Sequence, residues 1–345
     1  EGMNRYLTSL TALALLAACQ DSTAPRPEAL EQNDLAPDAM APSLEPAGTE
    51  ASLAVRHLWA VVNQNGTLAR GSRVTGVTWL GTGRYEVTFD RNVAGCAYVA
   101  TTRNAYSQAL GVYTAGGHLS ANGVYIETKN QGGGLTDGPF NLLVACGPNS
   151  TRFAVVGSSS NLVRATSGTT LTDLGAGRYQ IRFSSGVAGC AYLATVADPA
   201  NGLVFNPSGV YTGKGPDANT VYIETKNPGG GLQPGVPFHL SVICPGTGSS
   251  RFVVVRANGG KQRGSIGSAS ILGSTGNYQV SNDINISACA ALATRGSPGT
   301  AVPFSPATVE ITPGATGKSF GVQVRQLLFF GGALTNQAFH AAVIC

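Results

Sequence analysis

The sequence predicts an all-β protein, built as three tandem sandwich or jelly-roll-like β-domains with one disulfide each. Three observations carry this prediction: one sequence pattern recurs three times, its apolar residues alternate with period two, and its cysteines fall two to a copy. The second copy is the clearest. It opens Cys190-Ala191-Tyr192, runs through Val221-Tyr222-Ile223-Glu224-Thr225-Lys226 and closes from Phe238 to Cys244. The first copy repeats this as Cys96-Ala97-Tyr98, Val124-Tyr125-Ile126-Glu127-Thr128-Lys129 and Phe140 to Cys146. A more divergent third copy runs from Cys289-Ala290-Ala291 to Phe339 and Cys345. Self-similarity at a fixed period is the mark of a repeat architecture.

In chain order, residues 1–18 read as an export signal. Arg5 supplies a positive start, and Leu7 to Leu16 is an apolar run too short to span a bilayer as a helix but suited to a signal-peptide core. It ends Leu16-Ala17-Ala18-Cys19, which resembles the lipobox of bacterial lipoproteins. That resemblance implies an acylated Cys19 as the mature N-terminus, hence attachment to the outer membrane or cell surface through lipid. The cysteine count agrees: seven is odd for an exported chain, and setting Cys19 aside leaves six. Residues 19–56 hold five prolines, seven acids and two bases, with few large apolar residues. Such a segment buries too little surface to offset its ordering entropy, and reads as a disordered acidic tether with a reach of roughly 30–35 Å.

From His57 the composition shifts to Gly, Val, Thr and Tyr. The repeats align as 57–147, 152–245 and 251–345, joined by short turn-rich linkers. Trp59, Phe153 and Phe252 correspond, and each stands eleven positions before an arginine (Arg70, Arg164, Arg263). Within a repeat the period is two: Tyr85, Val87 and Phe89 share one face, and Phe140, Leu142, Val144 and Cys146 another. Asn65-Gly66 is a hairpin cue, since glycine readily takes the positive φ such turns require. About eight short strands per repeat follow, with no convincing helix after residue 19. The linkers leave open whether the repeats form a string or pack around a pseudo-three-fold axis.

The repeat also makes Cys96–Cys146, Cys190–Cys244 and Cys289–Cys345 the preferred pairing among the fifteen that six cysteines allow. Export favours disulfides over free thiols, and no close Cys/His spacing suggests a metal.

The strongest repeated polar set is Tyr125, Glu127 and Lys129 with Tyr222, Glu224 and Lys226, set by alternation on the face opposite the core. The expectation is an outward stripe, either a surface ladder or a ligand-binding strip. The third copy has Gly321, Gln323 and Arg325 there. No catalytic constellation is legible. His239 and His340 match a position held by Asn141 in the first copy, and His118 lies in a variable loop. The glycine runs 132–134 and 229–231 precede strands rather than a helix, so they read as loop glycines, not a phosphate cradle. No cofactor is expected.

Residues 57–345 carry nineteen Lys/Arg against ten Asp/Glu, spread without a run. That mild basicity suits an anionic glycan or envelope partner better than nucleic acid. The repeats look like uncharacterised Cys-containing β-repeats of bacterial secreted proteins, on Gly83-Arg84-Tyr85-Glu86-Val87-Thr88-Phe89 and the Cys-Ala-Tyr-x-Ala-Thr strand. One strand is similar to the small trimeric β-heads that end collagen-like chains and phage fibres, a resemblance that transfers no functional residue. The expectation is a non-enzymatic, lipid-anchored envelope protein for surface recognition or adhesion, with a purely structural spacer or self-assembling protein as the alternative. The segments 102–122, 196–220 and 295–318 differ most between copies and hold Tyr106, His118, Phe205 and Phe304, which favours recognition.

Overall fold

Each apolar alternation is cut by a turn that only certain residues can make, and this sets the strand boundaries. Gly66 sits at φ +76°, where a Cβ would lie 2.9 Å from the Trp79 Cβ, and the Asn65 side chain accepts the Thr67 amide to close the hairpin. Gly83 and its equivalents Gly177 and Gly276 all have positive φ. A side chain at Gly83 would meet the Thr128 carbonyl at 2.6 Å. That is why Gly-x-Tyr recurs in the sequence.

The structure is a computed structural model that describes residues 57–103, 109–147, 152–202, 207–246, 250–300, 306–326 and 332–345. The signal segment 1–18, Cys19, the tether, the aromatic residues Tyr106, Phe205 and Phe304, and linker residues 148–151 and 247–249 lie outside the described residues. The described part is all-β, and its elements belong to one compact unit.

The first copy comprises β1 (Leu58–Val62), β2 (Leu68–Ser72), β3 (Val74–Gly81), β4 (Arg84–Phe89), β5 (Ala97–Arg103), β6 (Gly111–Gly116), β7 (Gly123–Lys129) and β8 (Phe140–Ala145). The second comprises β9 (Arg152–Val156), β10 (Leu162–Ala165), β11 (Thr170–Gly175), β12 (Arg178–Arg182), β13 (Ala191–Val196), β14 (Gly209–Lys214), β15 (Thr220–Lys226) and β16 (Phe238–Ile243). The third comprises β17 (Arg251–Val255), β18 (Lys261–Gly264), β19 (Ala269–Ser274), β20 (Asn277–Ser281), β21 (Ala290–Arg295), β22 (Ala307–Pro313), β23 (Ser319–Gln326) and β24 (Phe339–Ile344).

Every copy is a sandwich of two antiparallel four-stranded sheets. In the first copy an inner sheet, β2-β1-β8-β5, faces an outer sheet, β3-β4-β7-β6, and the others repeat both orders. Tyr85, Val87 and Phe89 from the outer sheet pack against Ala60, Tyr98, Phe140 and Leu142 from the inner one. Disulfides Cys96–Cys146, Cys190–Cys244 and Cys289–Cys345 link the opening strand to the closing strand of each inner sheet. Each closes a loop of 50 to 56 residues, worth about 4 kcal/mol by chain entropy. Three such bridges point to an oxidising, extracellular environment.

The three sandwiches close into a ring. Inner strands such as β1, β8, β16 and β24 are buried on both faces. Their alternate residues leave their own core and meet across copies, with Trp59, Val61, Leu143, Leu193, Ile243, Phe252 and Ile344 in one shared cluster. Backbone groups of each opening strand are then bonded by side chains from a neighbour. Thr195 Oγ accepts the Ala100 amide at 2.8 Å, Thr294 the Ala194 amide at 2.9 Å and Thr101 the Ala293 amide at 3.0 Å. In the same cyclic sense Arg164, Arg263 and Arg70 each donate from Nε to the carbonyl of Cys96, Cys190 or Cys289 at 2.9 Å. Sheet edges close likewise: β22 runs parallel to β5 through Glu310↔Thr102 and Ile311↔Arg103, and single parallel bridges join Thr114 to Ala197 and Thr212 to Gly296.

One of the three junctions is different. At the first two, Tyr98 faces His239 and Tyr192 faces His340, with ring centroids 5.0 and 4.9 Å apart and an arginine over each tyrosine. Where the third copy meets the first, Ala291 and Asn141 replace that pair, and the Asn141 amide donates to the Ala291 carbonyl. A cavity of about 230 Å³ lies there, lined by Arg70, Asn141, Ile286, Cys289, Ala291 and Val343 among others. Restoring the pair with Ala291→Tyr and Asn141→His should fill it and raise stability by about 1–2 kcal/mol, read as a higher denaturant midpoint at unchanged m-value. A lower midpoint would mean that the junction is packed for its present residues.

Candidate functional site

The repeated Tyr/Glu/Lys set comes together within each of the first two copies, but it is not an outward stripe. Tyr125, Glu127 and Lys129 are 3–4 % exposed, Lys226 is buried as well, and Tyr222 and Glu224 are partly buried. The alternation correctly separates these residues from their own copy's core. Their face is covered by other parts of the chain.

Tyr125 donates to Glu127 Oε1 at 3.0 Å, and Lys129 Nζ lies 2.7 Å from Glu127 Oε2. His118 stacks on Tyr125 with centroids 3.8 Å apart. Its loop is pinned by Glu86, which accepts the His118 and Leu119 amides at 2.9 and 3.0 Å. Lys129 Nζ also sits 5.2 Å from the Tyr113 ring centroid, and the Tyr113 hydroxyl is hydrogen-bonded by the Ser208 amide of the second copy. Burial and the adjacent carboxylates push the Tyr125 hydroxyl's pKa up, and burial with Glu224 raises that of Tyr222 to about 12. In the second copy Tyr222 donates to Glu224 at 2.9 Å and Lys226 pairs with Glu224 at 3.0 Å. These are tyrosine-capped ion pairs on the outer sheets, and the two sets remain separate.

The third copy reroutes this network instead of losing it. Arg325 pairs with Glu310 at 3.2 Å and donates to Gln323 at 2.7 Å. Glu310 lies opposite Gln323 in register, as Tyr113 lies opposite Glu127 and Tyr211 opposite Glu224. The carboxylate has crossed to the neighbouring strand while the cation keeps its place.

His239 and His340 are fully buried parts of the ring junctions. His239 Nδ1 accepts the Tyr98 amide at 2.8 Å and His340 Nδ1 the Tyr192 amide at 2.9 Å, while His340 Nε2 faces the Ser297 carbonyl at 3.0 Å. A ring that accepts at Nδ1 is neutral. Burial, reinforced by Arg164, holds His239 well below its usual range; burial and Arg263 push His340 down to about 3. The glycine runs are loop turns closed by Asn130 and Asn227, whose side chains accept the Gly134 and Gly231 amides at 3.0 Å. Among the described residues no group of three His, Cys, Asp or Glu is placed to hold a metal ion.

A cleft of about 100 Å³ opens where the three copies meet. Its wall takes matched residues from the three opening strands: Thr102 after Thr101, Val196 after Thr195 and Arg295 after Thr294. The rest comes from the strands that follow and the segments leading into them, including Val112 and Tyr113, Ser208 and Tyr211, and Ala307 and Thr308, and from the turns at Asn130, Gln131 and Pro228. The sequence reading missed Arg295, although aligning the copies exposes it as a charge where the others carry Thr102 and Val196. No protein-family model, curated protein or solved structure matches the chain.

The histidines set an acid limit on the fold. An unfolded histidine titrates at about 6.5. The folded value is depressed, so the contribution is fully present above that pH and is lost as pH falls from 6.5 towards about 3. Asn141 shows that this position accepts an amide, so His340→Asn should keep the fold at pH 7 and flatten the loss of stability between pH 6.5 and 4. Urea titrations across that range test it. An unchanged slope would place the acid sensitivity elsewhere.

Proposed function

We propose that the chain is a non-enzymatic recognition or adhesion head of the cell envelope, held by a lipid on Cys19 and binding a glycan or another envelope component. One observation carries the reading. Residues from the divergent segment of each copy, among them Leu110, Pro207, Ser208 and Thr308, converge on a single cleft, beside the shared threonines that close the ring. Clefts where several chain segments meet, with mixed apolar and hydrogen-bonding walls, are common binding sites. Ring closure also weighs against the spacer alternative, because copies that close on one another add no length.

Binding of the mature, full-length chain to glycan arrays and to whole cells tests this. Thr308→Trp, which puts a bulky ring on the cleft wall, should lower binding at least tenfold without changing the melting temperature. Absence of any binding would sink the reading, and a ligand indifferent to Thr308→Trp would remove the cleft from it. The anchor is tested separately by mass spectrometry of the mature N-terminus. A diacylglyceryl mass on Cys19 is expected, and an unmodified N-terminus downstream of it would overturn lipid attachment.

A further inference from the structure

Arg295 closes β21 and is 3 % exposed. Among the described residues its Nε and Nη1 have no hydrogen-bond partner. Its guanidinium carbon lies 5.8 Å from the centroid of the Tyr211 ring, and the groups acting on its charge are Tyr211 and Tyr278, not a carboxylate. The nearby buried acid of β22, Glu310, is paired with Arg325. Burial lowers the Arg295 pKa to about 10, still far above neutrality, so the group remains a cation.

A buried cation without a counter-charge is strongly destabilising, and a cation–π contact offsets only part of that. The ring does not require it, because Thr102 and Val196 occupy the same place in the other copies. Arg295 lines the cleft and is the only charged side chain among its described lining residues. A single planar guanidinium matches one carboxylate, bonded through two parallel N–H donors. A phosphate near a double negative charge would call for more than one cation. The remaining polar lining, Asn130, Gln131, Ser208 and Thr308, offers neutral donors and acceptors of the kind that hold sugar hydroxyls.

We propose that this cleft binds a carboxylate-bearing sugar, with Arg295 receiving the carboxylate. The inference rests on the recognition reading and names its ligand class.

The test titrates the full-length chain with sodium glucuronate, glucose and inorganic phosphate, by calorimetry and saturation-transfer NMR. Glucuronate should bind at least tenfold more tightly than glucose or phosphate, and Arg295→Gln should weaken it tenfold or more with near-ultraviolet circular dichroism unchanged. Equal binding of glucuronate and glucose, tighter binding of phosphate, or an Arg295→Gln variant that binds glucuronate normally would each overturn the proposal. Should Arg295→Gln fail to fold, Thr308→Trp decides: blocking glucuronate supports the cleft, and leaving it unaffected overturns it. Glycan-array binding that persists with a neutral sugar and ignores Arg295→Gln removes the carboxylate while keeping the recognition head. An array with no binding at all removes both.

Discussion

The architecture depends on what satisfies the free edge of each inner sheet. A β-strand at an edge presents unpaired backbone groups, and proteins must cover them or risk pairing with other chains. Here the exposed amides of β5, β13 and β21 are bonded by side chains of an adjacent copy. Threonine hydroxyls take Ala100, Ala194 and Ala293, and imidazoles take Tyr98 and Tyr192. Each threonine also donates back, as Thr195 does to the Ala100 carbonyl at 3.0 Å. Both bonding capacities of a buried hydroxyl are thereby used. The apolar cluster beneath supplies burial, and the polar contacts fix the register in which one sandwich meets the next.

A consequence is that no copy owns all of its interior. Tyr113 belongs to the first sandwich yet packs into the core of the second, and the Tyr211 hydroxyl accepts the Ala307 amide of the third at 3.4 Å. Polar residues buried in this way are costly unless paired. The ring pairs them with neighbours up to about 220 positions away in sequence, as Arg70 with Cys289. Contacts of such separation carry a high loop-closure entropy, which favours slow, cooperative assembly of the three sandwiches over independent folding of each.

The local fold was legible in the sequence because its determinants are local. Gly83-x-Tyr85-x-Val87, Asn65-Gly66 and the cysteine spacing each imply their own geometry, and the structure has that geometry. The eleven-residue step from Trp59 to Arg70 was visible as well, but its purpose lies across a junction. The face of Tyr125, Glu127 and Lys129 was misread for a general reason. Period two tells which residues point together, not whether water or protein lies in front of them. Asn141 and Ala291 looked like two unrelated departures from the repeat, one in each terminal copy. They are the two sides of one contact, and nothing short of the ring's closure could pair them. Arg295 stands out when the copies are aligned, but a lone charge at a strand end reads as surface until the other copies surround it.

Carrying three copies on one polypeptide frees the molecule from a rule that binds true trimers. In an assembly of identical subunits, any side chain placed beside the symmetry axis appears three times. Three guanidinium groups crowded into a space of about 100 Å³ would repel one another strongly at low dielectric. The covalent chain lets Thr102 and Val196 stand at two corners and Arg295 at the third. The central cleft can therefore have a direction, with one charged wall and two neutral ones, and can hold an asymmetric molecule in a single orientation.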